Sequence, residues 1–245
     1  MRWLRVFVAG PSQKDARDLA QRWTRGVRVG LVTTVGQLRP RNLICMSEWK
    51  KLGPIVLCQI HTDRMIHEGV YRDELLTEVD SLWLSPDGVV GLADGRAILH
   101  AHHRLHPTRM TGTTEKHRAY LPHRLLSFGF TSHYKAMAER FGAAALGCAA
   151  EDIIVEYDHQ VSLAEVATGV QIRRLGRIIG LLDAEVATPC VPFTRYLLGD
   201  QRTLEDRVAA HRAFLDDGMR GFIVGLADHT EPVDVAVGDE FWIRV

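Results

Sequence analysis

Short apolar runs bounded by Gly, Pro or Asp recur along the whole chain, and they limit its possible folds more than any other feature. They are Leu4–Ala9, Val27–Val35, Ile55–Ile60, Val79–Leu84, Ala97–His102, Arg124–Phe128, Asp152–Tyr157, Arg177–Ala187, Gly221–Leu226 and Glu240–Val245. Runs of this length between turn residues read as strands. Only three stretches carry a helical period, too few for the regular strand–helix alternation of a doubly wound sheet. The expected fold is mainly β: a closed or nearly closed barrel with a few short α-helices packed outside.

The three helices have their own start and stop signals. One begins at Ser12 with Asp15 as capping partner, repeats Ala16, Leu19, Ala20 and Trp23 on one face, and stops at Gly26. The second follows Thr131-Ser132, aligns Tyr134, Met137, Ala138 and Phe141, and stops at Gly142. The third starts at Thr203 with Asp206, buries Leu204, Val208, His211 and Leu215, and stops at Gly218. A polar, Pro-containing break at Arg39-Pro40-Arg41-Asn42 sets a small strand–helix–strand extension, residues 1–50, apart from a barrel over residues 53–245. About forty residues bury too little apolar surface to fold alone, so this extension is expected to pack on the barrel through Leu19 and Trp23.

At 245 residues the chain can bury a full core without disulfides or a structural metal. It has no apolar run near membrane-spanning length, and its start, interrupted by Pro11, does not read as a signal peptide, so the expectation is a soluble cytoplasmic protein. Thirty basic residues balance thirty acidic ones, which argues against a dedicated nucleic-acid binder or a polybasic membrane anchor. The excess of Lys and Arg within residues 1–50 reads as a solvated basic face, or as a grip on an anionic ligand or partner. Cys45, Cys58, Cys148 and Cys190 form no CxxC pair, so neither a zinc knuckle nor a disulfide framework is indicated.

Cys190 stands out. It closes the strand-like run from Gly180 and is framed by Pro189 and Pro192, which fix the local backbone and withhold two N–H donors from any ladder. Such a placement suits a nucleophile or a metal thiolate, and equally a small buried hydrophobe.

The order of motifs around Cys190 resembles a known family. A strand ends in Pro-Cys, a short helix follows, then Gly-Met-Arg-Gly-Phe-Ile-Val at 218–224 and Val-Gly-Asp-Glu-Phe-Trp-Ile-Arg-Val at 237–245. Upstream, the strand-then-helix stretch 125–142 and Glu151-Asp152-Ile153-Ile154-Val155 stand in matching order. Together these resemble the MOSC domain, the C-terminal domain superfamily of molybdenum cofactor sulfurase. The resemblance covers residues 53–245 and implies a barrel of the pyruvate-kinase type. It further implies a cysteine, by position Cys190, that ligates molybdenum in the molybdopterin cofactor or carries a persulfide, for oxidoreductase or sulfur-transfer chemistry on a small molecule. A redox or sulfur-donor protein would be the partner. A thiolate is a soft ligand and a sulfur nucleophile, and Arg195 is a candidate cation beside it. Two departures stand out: Gly91-Leu92-Ala93-Asp94-Gly95-Arg96 replaces the family's Gly-Asp-x-His, and Asp152 replaces its usual Asn, where a carboxylate would repel a pterin phosphate.

Two further groups are candidates. In Ile98-Leu99-His100-Ala101-His102-His103, a strand would put His100 and His102 on one face, as a paired-imidazole metal site or as an acid–base partner of Cys190, with Asp94 and His123 able to approach in space. Arg124, Thr131, Ser132 and Arg220, with Asp152, are the expected cofactor-binding set, the hydroxyls opening a helix as an anion seat or as simple caps. The alternative function keeps the barrel and discards the cofactor: an enzyme on a small polar metabolite, using Cys190 or His100 and His102 in transfer, hydrolytic or lyase chemistry.

Overall fold

In the computed structural model the described residues are 48–106, 124–200, 204–227 and 231–245. They belong to the unit Ser47–Val245; of the expected extension at 1–50, residues 1–47, with the Ser12 helix and Cys45, lie outside them, as do His123 and Thr203. The architecture is mainly β, as its pattern of short apolar runs predicts. The strands are β1 (Trp49–His61), β2 (Ile66–His67), β3 (Val70–Tyr71), β4 (Leu76–Glu78), β5 (Ser81–Ser85), β6 (Gly88–Ala93), β7 (Arg96–Leu99), β8 (Leu126–Phe130), β9 (Ile153–Val155), β10 (Val170–Arg174), β11 (Arg177–Val186), β12 (Phe222–Leu226), β13 (Val233–Ala236) and β14 (Glu240–Arg244). The helices are α1 (Thr131–Phe141), α2 (Leu163–Val166), α3 (Val191–Leu197) and α4 (Glu205–Leu215).

Strand pairing closes the barrel. Going round, β1, β14, β10, β11, β12, β8 and β9 are neighbours, and β9 returns to β1. Closure leaves no barrel edge unpaired. β1 makes it possible: Trp49 to Pro54 pair with β14, Ile55 to Cys58 with β9, and Gln59 to His61 with β4, and two register shifts bend the strand between partners. Among the described strands only β8 and β9 run parallel, Phe128 beside Ile153, and a parallel pair needs a crossover, which α1 supplies. The period-2 alternation then sorts side chains. Leu126, Phe128 and Phe130, Val170 and Ile172, Ile179 and Leu181, Phe222 and Val224, and Phe241 and Ile243 fill the interior. Phe128 lies 4.9 Å from Phe241 and 5.3 Å from Phe222 between ring centroids, so aromatic packing fills the middle.

A second sheet, β13-β5-β6-β7, contributes Leu82, Leu84, Val89, Val233 and Val235 to this same core. Outside the wall, Leu57 and Ile154 point away from the interior and, with Tyr71, Tyr134, Met137, Cys148, Phe193, Leu197 and Leu215, form a second core under the helices. α1 follows its expected pattern, burying Tyr134 and Met137 and ending at Gly142 in the left-handed conformation. α4 buries Val208 and Leu215, but Leu204 is its exposed N-cap. The helix α2, with its Ser162–Glu165 capping box, was not expected from the periodicity because one turn is too short to show a period.

Candidate functional site

The histidine run does not continue β7. The strand stops at Leu99, and residues 100–106 fold into tight turns: His103 N–H donates to the His100 carbonyl and His106 N–H to the His103 carbonyl. The turn lies so close to β6 that a Cβ on Gly88 would sit 2.7 Å from the His103 Cα, so only glycine fits there. Consequently His100 and His103 are buried while His102 is exposed, a correction to the strand alternation expected from sequence. Ala101 N–H donates to the His61 carbonyl at 2.8 Å, which stitches the turn to the end of β1 and adds a third imidazole.

His61, His100 and His102 form one cluster. Their ring centroids are 4.1, 4.8 and 5.1 Å apart, with each pair steeply inclined. One ring nitrogen from each lies within 4.8 Å of the others. His61 Nδ1 lies 2.9 Å from the Asp63 carbonyl, an acceptor only, so that nitrogen carries the proton and Nε2 offers a lone pair. Burial, then the neighbouring imidazoles, push His61 down to about 3, so it is neutral at pH 7.

Behind His100 stands Asp152, on the segment leading into β9. Its Oδ2 accepts from Ser127 N–H and Ser127 Oγ, both at 2.7 Å, and its Oδ1 lies 3.2 Å from His100 Nε2. Burial works to raise this carboxyl, but the His100 imidazole and the Ser127 donors outweigh it and hold Asp152 below the ordinary carboxylate range. Asp152 therefore faces the histidine cluster and is buried beside it. Asp94 does not approach. With Gly95 it forms the two-residue turn of the β6–β7 hairpin, both at positive φ, and β7 carries His100 roughly 20 Å away from it.

Around Cys190 the chain builds a different environment. Cys190 is the N-cap of α3, is partly exposed, and packs against the outer core, while Cys58 and Cys148 are buried. Burial pushes both of those thiols up to about 12. The cation beside this segment is Arg220. Its Nη1 donates to the Thr188 carbonyl at 2.6 Å and its guanidinium lies 5.1 Å from the Phe193 ring centroid. The Gly-Met-Arg-Gly loop reaches this spot because Gly221, at φ +99°, passes where a Cβ would meet the Phe128 carbonyl at 2.6 Å. Arg195 lies in the last turn of α3, away from its Cys190 end, and its buried Nε has no hydrogen-bond partner.

Glu151 is the residue that sequence reasoning noticed only as part of a motif. Gly129 and Gly221 leave room for its side chain, Tyr134 Oη hydrogen-bonds to Oε2, and Oε1 has no partner. Burial raises its carboxyl to about 7, against the opposing pull of the Tyr134 hydrogen bond and of Arg220. Burial likewise raises the Tyr71 phenol, which donates to the Cys148 carbonyl at 2.8 Å and feels the charges of Arg220, Glu151 and Cys190.

The other members of the expected cofactor seat are not brought together. Arg124 and Thr131 flank opposite ends of β8, roughly 20 Å apart along the strand. Arg124 is paired with Glu185, its Nη2 at 2.5 Å. Thr131 Oγ1 donates to the Tyr157 carbonyl and accepts from Tyr157 N–H, and Ser132 Oγ donates to the His159 carbonyl. Those hydroxyls do not cap α1; they fasten the helix to the segment after β9.

No family model matches the chain, and no curated protein matches it. Among solved structures it is similar to the YuaD protein from Bacillus subtilis, with 14% identity over 80% of this chain and 98% of that chain and a TM-score of 0.48. It is also similar to YiiM from Escherichia coli, with 15% identity over 78% of this chain and 71% of that chain and a TM-score of 0.41. The barrel assignment stands on the strand pairing itself. No described helix is long and apolar enough to cross a membrane.

Proposed function

We propose that this chain is a MOSC-type protein that works through the Cys190 thiol as a sulfur carrier. The observation that carries the reading is the contrast among the described cysteines: Cys190 alone is partly open, held at a helix start between two prolines, whereas Cys58 and Cys148 are sealed in the two cores. The order of sequence motifs supports the family. Of the two uses of the thiol that the resemblance implies, molybdenum cofactor ligation is the less supported. Of the residues expected to seat the pterin phosphate, only Arg220 shares the neighbourhood of Cys190, while Arg124, Thr131, Ser132 and Asp152 are engaged elsewhere.

Sulfur relay asks less of the surroundings. The Cys190 thiolate attacks the terminal sulfur of a donor persulfide, forming a new S–S bond as the donor's S–S bond breaks and its thiolate leaves. An acceptor nucleophile then takes that terminal sulfur and releases the Cys190 thiolate, so the cycle is redox-neutral. Arg220, whose Nη1 donates to the Thr188 carbonyl two residues before Cys190, is the cation proposed to steady the anionic sulfur, and the Glu151 carboxyl, raised to about 7, can hold or release a proton near neutral pH. The test is mass spectrometry of the full chain after exposure to a low-molecular-weight persulfide. One added sulfur on Cys190, removable by thiol and absent in Cys190→Ser, is expected. Stoichiometric molybdenum in protein from a cofactor-competent host, or sulfur loading unaffected by Cys190→Ser, would overturn the reading.

A further inference from the structure

The histidine cluster takes no part in that chemistry, and its geometry has a feature of its own. His100 Nδ1 accepts from His102 N–H at 3.1 Å, so the turn itself fixes which nitrogen is left over. The nitrogen left over, Nε2, pairs with Asp152 Oδ1 at 3.2 Å without the alignment of a hydrogen bond, and the two side chains are only 5% and 4% exposed. A buried pair in contact but out of line leaves hydrogen-bonding capacity unused on both atoms, and a third body between them would use it. The separation suits one: two ligands on a tetrahedral centre with bonds of ~2.0–2.1 Å stand ~3.3 Å apart.

We propose that His61, His100 and His102, with Asp152 Oδ1, bind a divalent transition-metal ion of the zinc type. Three imidazoles and one carboxylate are a borderline nitrogen and oxygen set, which suits zinc better than calcium or magnesium. The supporting contacts have the form such sites use: the Asp63 carbonyl orients His61 and leaves its Nε2 as ligand, and Ser127 holds Asp152 Oδ2 so that Oδ1 points inward. One nitrogen from each of the three imidazoles lies within 4.8 Å of the others, so the ion draws them together, chiefly by movement of the exposed His102. The ligands come from the end of β1, from the turn after β7 and from the segment before β9. The ion therefore clasps the second sheet to the barrel, and its solvent side lies at His102. This site is independent of Cys190.

The experiment uses the full chain after chelator treatment, titrated with Zn(II) by calorimetry and with Co(II) by visible spectroscopy. The expected result is one ion per chain, intense Co(II) bands of a four-coordinate site, and a higher melting temperature with Zn(II). His102→Ala, which removes an exposed side chain and leaves the fold intact by circular dichroism, should weaken Zn(II) by more than about ten-fold, the loss that even an outer partner of a ligand produces. Cys190→Ser should bind as the unaltered chain does. No saturable binding at one ion per chain, binding indifferent to His102→Ala, or binding lost in Cys190→Ser would each overturn the assignment. None of these outcomes bears on persulfide loading, which is read by mass.

Discussion

Glu151 and Asp152 are adjacent in the chain and equally hidden, yet they behave as opposites. Asp152 turns toward the histidine cluster, where two Ser127 donors and an imidazole hold it ionised. Glu151 turns to the outer core beside the Cys190 segment, where one phenol reaches it, and its carboxyl rises to about 7. Burial is common to both, and the number of aligned donors makes the difference. One region holds a fixed charge that organises three imidazoles; the other holds a proton that can leave near neutral pH.

The sharpest way to break this comparison is to remove the fixed charge. Asp152→Ala strips Ser127 of its acceptor and His100 of its ion-pair partner, and the expected loss is about 3–5 kcal/mol, the range for breaking a buried ionic contact. Urea unfolding at pH 7 measures it. A loss below about 1 kcal/mol would mean that Asp152 is not the hub of the cluster.

Next is the proton on Glu151. Its folded value lies above its unfolded one near 4.5, so the folded state binds the proton more tightly. Its contribution to stability is therefore full at low pH and declines as pH rises from about 4.5 to about 7, by about 3 kcal/mol in all. Glu151→Gln keeps the neutral form at every pH. The difference in unfolding free energy between Glu151→Gln and the unaltered chain should grow in favour of the variant across that window and then level off. A flat difference would remove Glu151 as a proton reservoir.

Smaller effects are expected at the two accessible residues. Cys190→Ser should change stability by at most ~1–2 kcal/mol while abolishing persulfide loading, and Cys190 should alkylate faster at neutral pH than Cys58 or Cys148. Slow labelling of Cys190 would put it in the core with the other two. Smallest of all, His102→Ala should shift the stability of metal-free protein by no more than ~0.5 kcal/mol, as an exposed side chain does, so that any larger shift with Zn(II) present reports the ion.

Particular residues show how much of this was legible in advance. Short runs at period 2 determine the strands, because alternating side chains must face core and solvent whatever the partners are, and the Tyr134–Met137 face determines α1 for the corresponding reason at period 3.6. Cys190 could be singled out because two prolines act on the backbone locally. What the chain order could not disclose is which strand ends meet. The bends of β1 carry His61 to the turn after β7, the parallel β8–β9 pair sets Ser127 against Asp152, and a glycine at position 88 lets the histidine turn fold back in place of extending as a strand. Arg124 and Thr131 read as one seat by residue type, but a strand between them separates them. Sequence by itself determined the elements and singled out Cys190, since those depend on neighbours along the chain. Only the closure of the barrel decided the histidine cluster and the opposite fates of Glu151 and Asp152, because these depend on donors brought in from distant segments.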